Sequence, residues 1–288
     1  MFVDLSQVRT PSVLALALLI SACSGSKEDS AADAGSDGAT DGTTDGTADG
    51  TTDGSADGAA DGGGGGTAQV RLAHFGVFPG DTGTAVDIFI NGAASGVTFS
   101  FKEATPYVEL PAGSYDIDIV PSGGAIGDSV FSVPGFTIAD GEIWTAYAAG
   151  YVAPTEGGQP FSVFAFKEDH AVPAGQVRVN VVHAAALGAL DPVDVWVVDG
   201  DCEPTSILLD NFAYGSVAAN VDLPSTEINV GFDVGGDATV DACFKIPATI
   251  TDAVINLYAV NTSDGKVSLV AVLPDGTPVE LNPEDVPR

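Results

Sequence analysis

One block of this sequence returns later in the chain with its motifs in the same order, and that duplication limits the fold more than any single motif does. Gln69-Val70-Arg71-Leu72, followed by His74, recurs as Gln176-Val177-Arg178-Val179, followed by His183. The run AVDIFI (85–90) recurs as PVDVWV (192–197), at the same offset of 107 that separates Arg71 from Arg178. Val108-Glu109-Leu110-Pro111 is answered by Val221-Asp222-Leu223-Pro224, and the run 115–119 by 227–230. The tails correspond as well, Ile143 to Tyr147 with Val254 to Tyr258 and Phe161 to Phe166 with Val267 to Val272. A chain built this way folds as two related units. The expected seam lies between Asp169 and Gln176, giving repeats over 67–170 and 171–288.

Within each repeat the pattern is that of strands. Val86, Ile88 and Ile90 alternate with Asp87, Phe89 and Asn91, and Tyr115, Ile117 and Ile119 alternate with Asp116 and Asp118. A period of two places one set on the buried face of a sheet. Asn91-Gly92, Asp140-Gly141, Asp199-Gly200 and Asp275-Gly276 separate such runs as turn signals. No stretch after residue 66 sustains a helical period. Units of this size with six to eight short strands point to an all-β fold: two tandem immunoglobulin-like antiparallel β-sandwich domains.

The N-terminal region is different. Val13 to Ile20 is an apolar run of signal-peptide length, too short for the roughly 20 residues of a membrane-spanning helix. It ends Ile20-Ser21-Ala22-Cys23, which resembles the bacterial lipobox. That resemblance implies cleavage after residue 22 and a diacylglycerol thioether on Cys23; the alternative is an ordinary signal peptide with Cys23 merely nearby. With Ser24 following the cysteine, the outer membrane or cell surface of the bacterial envelope is the expected location. Residues 23–66 then form a disordered stalk. Asp-Gly pairs recur every four residues from Asp37-Gly38 to Asp61-Gly62, and nothing there can be buried to offset chain entropy.

The chain carries 9 Lys+Arg against 40 Asp+Glu, a formal net charge of −31. Such a surface repels nucleic acid and anionic lipid headgroups.

The motifs VRLAH (70–74), AVDIFINGA (85–93) and YVELPAGSYDIDI (107–119), with VRV (177–179), PVDVWV and VDLP in the second copy, resemble the domain-of-unknown-function 4397 family. The resemblance runs from about Ala68 to Pro283. Family members typically read V-R-V-x-H-A-S-P, V-D-V-Y-V-D-G and L-P-A-G-x-Y. This chain departs at Phe75-Gly76-Val77, at Asn180 and Val181, which lengthen the run to His183, and at Ser225 and Glu227. The resemblance implies a tandem architecture on an exported or anchored bacterial protein and brings no established activity.

Candidate chemistry is sparse. His74 and His183 hold matched positions, with Arg71, Arg178, Asp87 and Asp194 in the same units, but neither histidine has a nucleophile motif or zinc-ligand spacing beside it. They read as structural hydrogen-bonding residues, with the arginines expected to brace Asp87 and Asp194 by ion pairs. The third histidine, His170, lies in a charged linker. No catalytic residue, cofactor or metal is expected. Cys202 and Cys243 are expected to pair in an oxidising compartment, a closure worth about 4 kcal/mol on the chain-entropy estimate.

The candidate recognition residues are aromatic. Phe89 and Trp196 hold equivalent places out of phase with the aliphatic residues, and Trp144, Tyr151 and Phe164 are candidates to extend that surface. Exposed rings are platforms for sugars and protein hot spots; the competing reading is that a loop or neighbouring unit covers them. The expected function is therefore an envelope-anchored lipoprotein displaying two non-catalytic binding or structural domains. Its expected partners are the membrane, through the anchor, and an envelope protein or glycan. The alternatives are a carbohydrate-binding or adhesive surface protein and, less favoured, a secreted hydrolase.

Overall fold

The computed structural model describes residues 65–77, 85–154, 157–246, 251–261, 267–281 and 283. The expected signal peptide, Cys23 and the stalk up to residue 64 lie outside the described residues. In the first unit the strands are β1 (Thr67–Val77), β2 (Val86–Ile90), β3 (Ala93–Phe99), β4 (Glu103–Ala104), β5 (Val108–Pro111), β6 (Gly113–Pro121), β7 (Phe131–Ile138), β8 (Ile143–Tyr151) and β9 (Ser162–Lys167). In the second they are β10 (Gln176–His183), β11 (Val193–Val198), β12 (Pro204–Phe212), β13 (Val217–Pro224), β14 (Ile228–Asp233), β15 (Ala242–Ile246), β16 (Ala253–Asn261), β17 (Val267–Val272) and β18 (Pro278–Leu281).

Each unit is a pair of sheets. The first unit has the order β4–β1–β8–β9, with β5 also on β1, facing β3–β2–β6–β7. The second has β13–β10–β16–β17–β18 facing β12–β11–β14–β15. The orders superimpose strand for strand, except that β18 has no counterpart in the first unit. The β2–β3 hairpin shows how local sequence sets the register. Asn91 (φ 50°) and Gly92 (φ 80°) are both left-handed, as a two-residue type I′ turn requires, and Ile90 pairs with Ala93.

Pairing departs from the all-antiparallel expectation at one place in each unit. β1 runs parallel to β8, Gln69 opposite Ile143 through Val77 opposite Tyr151, and β10 runs parallel to β16. The cause is topological: the chain leaves β1, builds the whole facing sheet, laying β4 and β5 on β1 along the way, then crosses back, and a crossover connection returns a strand in parallel.

The two units share a core. Ala73, Phe75, Tyr147, Ala149 and Phe166 of the first unit pack in one buried cluster with Val182, Tyr258, Val260, Val270 and Val272 of the second. The β1–β8–β9 and β10–β16–β17 sheets therefore face one another, making four layers in all. The two inner sheets are covered on both sides, and β16 and β17 are buried at nearly every position. Their sequences accordingly read as continuous apolar runs rather than as an alternation.

The parallel registers also fix which residues are equivalent. Tyr147 lies opposite Ala73, next to His74, and Tyr258 lies opposite Val182, next to His183. On that frame Arg71, opposite Thr145, corresponds to Asn180, opposite Asn256, and not to Arg178. The sequence match of the two arginines is thus out of step with the structure by two residues. The longer run to His183 is accommodated by a register shift between Val179 and Val181 where β10 meets β13.

Candidate functional site

Both matched histidines are buried, each 1% exposed. His183 donates from Nε2 to the Leu190 carbonyl at 2.7 Å, and burial lowers its pKa, so the neutral ring is the folded form. The expected arginine–aspartate ion pairs do not form. Asp87 instead accepts from Thr98 Oγ1 (2.6 Å), the Gly123 amide (2.8 Å) and Ser122 Oγ (3.2 Å), while Asp194 accepts from the Asn211 amide (2.7 Å). These aspartates lie on outward-facing positions of their strands and tie turns, whereas both arginines lie on the inner sheets.

The arginines do different work. Arg178 makes a two-pronged ion pair with Asp222 (2.6 and 2.8 Å) and a further one with Asp169 (2.9 Å). Arg71 is fully buried between the units. Its Nη2 donates to the carbonyls of Leu273 (2.8 Å) and Pro274 (2.6 Å), and its guanidinium lies 4.0 Å over the Tyr107 ring. The hairpin between β17 and β18 thus reaches the first unit. Gly276 at its tip (φ 87°) is so close that a Cβ would lie 2.4 Å from the Pro106 nitrogen, and Glu280 on β18 pairs with Lys102.

Beside Arg71 sits a buried carboxylate. Glu168 accepts from Tyr107 Oη (2.5 Å), Asn256 Nδ2 (2.8 Å) and Thr145 Oγ1, and pairs with His170 Nε2 (2.9 Å). Burial raises its pKa, but the hydrogen bonds from His170, Thr145, Tyr107 and Asn256 outweigh that and leave the pKa below the ordinary carboxylate value. The contacts of Glu168 with Asn256, of Arg71 with the Leu273 and Pro274 carbonyls and of Lys102 with Glu280 fasten one repeat to the other. Among the described residues no group of three or more His, Cys, Asp or Glu is placed to hold a metal ion.

The aromatic candidates are scattered. Phe89 is half-buried on β2. Trp196, its equivalent on β11, packs against Val198, Val240 and the cysteine pair. Trp144 turns inward to Val70 and Ile138, with its ring 5.2 Å from Phe136, so it adds nothing to an outer platform. The reason is its phase on β8, where even positions face the first unit's own second sheet and odd positions face the other repeat. Tyr151 ends β8 and accepts from Asn261 Nδ2 (3.1 Å); Phe164 stacks on Tyr147 at the interface. Cys202 and Cys243 form the expected disulfide, spanning a sequence separation of 41.

The feature with the shape of a binding site was not among the sequence candidates. Between the sheets of the first unit lies a cleft of about 250 Å³, lined by residues that include Leu72, Ile88, Ile117, Val133, Ala146 and Val163. In the second unit a hollow of only about 10 Å³ is found at one end of the corresponding region, between His183, Val193, Phe232 and Ala259. Strand registers match Ala146 to Leu257, Val163 to Leu269, Ile119 to Phe232 and Val133 to Phe244. At each of these central positions the first repeat has the smaller side chain. Its core is accordingly split into two clusters, one around Val86, Ile88 and Phe161 and one around Val70 and Ile138, where the second repeat has one large cluster, apart from the small one at the disulfide. The cleft is reached by solvent: Ala165 is exposed while its equivalent, Ala271, is 8% exposed. Position-by-position comparison of the two repeats was the signal that would have found it.

The fold and these sites define a tandem β-sandwich protein with two repeats joined through a common core. Residues 68–193, the first repeat and the start of the second, match the domain of unknown function DUF4397, the family that the motifs resemble. No curated protein matches the chain. Among solved structures, one on alpha-glucan recognition by family 41 carbohydrate-binding modules from streptococcal virulence factors is 14% identical. It covers 69% of this chain and 96% of its own, with a TM-score of 0.21. One on alpha-glucan binding by a streptococcal virulence factor is 15% identical, covering 69% and 95%, with a TM-score of 0.21. A fimbrial assembly protein from Parabacteroides distasonis ATCC 8503 is 11% identical, covering 76% and 99%, again with a TM-score of 0.21. Likeness at this level carries no functional argument.

Proposed function

We propose that this is an exported, lipid-anchored protein of the bacterial envelope whose two repeats act together as one non-catalytic binding or structural module, held off the membrane by the acidic stalk. The observation that carries the reading is the docking of the repeats. Arg71 and Glu168, the groups most deeply committed to the interior, are engaged in joining the two sandwiches, which is the arrangement of a rigid display body. The lipobox-like Ile20-Ser21-Ala22-Cys23 supplies the anchor, and the Asp-Gly repeat supplies the spacer.

The test is the intact mass of the protein extracted from its host with detergent, beside a Cys23→Ala version, each followed by membrane fractionation. A diacylglycerol adduct on a chain beginning at Cys23, lost in the variant together with membrane association, is the expected result. A lipid-free mature chain in the medium would refute the anchored reading.

A further inference from the structure

We propose that the cleft of the first repeat is a binding site for the alkyl chain of an uncharged amphiphile, a role that goes beyond display. Three observations converge on that occupant. The lining is almost wholly hydrocarbon, and its polar groups are engaged: of its two phenols Tyr115 donates its hydroxyl to the Pro111 carbonyl at 2.6 Å and Tyr147 to the Gly215 carbonyl at 3.1 Å, while His74 Nδ1 accepts from the Gly76 amide at 3.4 Å. An apolar hollow of this kind does not hold ordered water, and one of about 150 Å³ lined by Leu, Ile and Phe already takes up benzene. At about 250 Å³ the cleft has room for more.

The shape selects a chain over a compact ring. Lining residues on β6 run from Tyr115 to Ile119, four steps along a strand, or about 13 Å at the usual strand rise. Aromatic pairs stand near the two ends, Phe136 with Trp144 and Phe131, opposite Ile119, with Phe161, and the small positions Val133, Ala146 and Val163 lie between them. The result is a flat slot between two sheets, open to an extended chain along the strands.

Charge selects the headgroup. The chain carries a formal net charge of −31, no Lys or Arg lines the cleft, and Lys167, two residues beyond Ala165 on β9, is already paired with Glu142. An anionic head at the mouth would meet this negative field unpaired. The second repeat is the internal control: the same fold with Leu257, Leu269, Phe232 and Phe244 fills the space with its own side chains.

The experiment uses the purified protein and the uncharged fluorophore N-phenyl-1-naphthylamine. Its emission is expected to rise saturably at one site per chain, to be displaced by 1-octanol, and to be displaced at least tenfold less effectively by octanoate at pH 8. Ala146→Leu with Val133→Phe, which installs the second repeat's own residues, should abolish binding without lowering Tm. Non-saturable binding, or a filled variant that binds like the parent, overturns the proposal, and equal displacement by octanoate overturns the uncharged headgroup. If the double variant does not fold, Ala146→Leu alone and the Tm of the parent decide. Saturating 1-octanol must raise that Tm, as a ligand of the folded state does, and failure to raise it overturns the site.

Discussion

Tyr147 and Tyr258, equivalent residues of the two repeats, meet each other across the interface with ring centroids 5.6 Å apart and planes at 66°. Two equivalent positions can touch only near a local two-fold axis, and Thr145 and Asn256, equivalent by the same registers, are likewise hydrogen-bonded to each other at 3.1 Å. The duplication is therefore a symmetry of the folded molecule as well as of the sequence. The symmetry is broken where docking needs it: Arg71 stands opposite Asn180 in role, and β18 with its hairpin belongs to one side only.

Gly276 is where that hairpin comes closest to the first repeat. Gly276→Ala combines a left-handed φ with a contact of 2.4 Å and should destabilise the protein by roughly 1–3 kcal/mol. Gly92→Ala, with a similar φ but nothing within 4 Å, carries the backbone strain alone. Urea unfolding should show the Gly276 variant with the lower midpoint; equal midpoints would mean the hairpin does not press on Pro106.

Glu168 makes docking sensitive to acid. Its folded pKa lies below the ordinary 4.5, so its stabilising contribution is complete above about pH 4.5 and is lost as pH falls through the lowered value. His183, whose pKa is lowered from 6.5 by burial, begins an earlier loss as pH falls below about 6.5. Tm measured from pH 8 to pH 3 should therefore fall in two stages. Glu168→Gln should be roughly 1–3 kcal/mol less stable at pH 7, because an amide donates where Tyr107, Thr145 and Asn256 also donate, and its lower stage should be smaller, the remainder coming from carboxylates such as Asp87 and Asp222 whose pKa values are also lowered. A lower stage of unchanged size in the variant would place the acid sensitivity elsewhere.

The first repeat was legible from its alternation, since Val86 and Ile88 lie in the core as their phase requires and Asn91-Gly92 makes the turn. The layer between the repeats was harder to read. Continuous runs such as Val254–Val260 fit a strand buried on both faces, but nothing local says what covers the second face. The partners of Arg71 are backbone carbonyls 202 and 203 residues away, and a carbonyl carries no sequence signature. The cleft is invisible in either repeat alone, because Ala146 and Val133 are ordinary strand residues until they are set against Leu257 and Phe244.

The disulfide should act as a local fastening. Replacing Cys202 and Cys243 by serine should cost up to about 4 kcal/mol by the chain-entropy estimate. Reduction should also brighten the emission of Trp196, which packs on the pair and loses a quencher. Fluorescence that does not change on reduction would contradict that packing.

Whether the repeats are one body is read most directly by differential scanning calorimetry of the purified protein. A single transition is expected, with calorimetric and van't Hoff enthalpies equal, because a buried sheet-to-sheet interface couples the two cores. Two resolved transitions, only one of them moved by reducing the disulfide, would show sandwiches that unfold independently and would contradict the shared core.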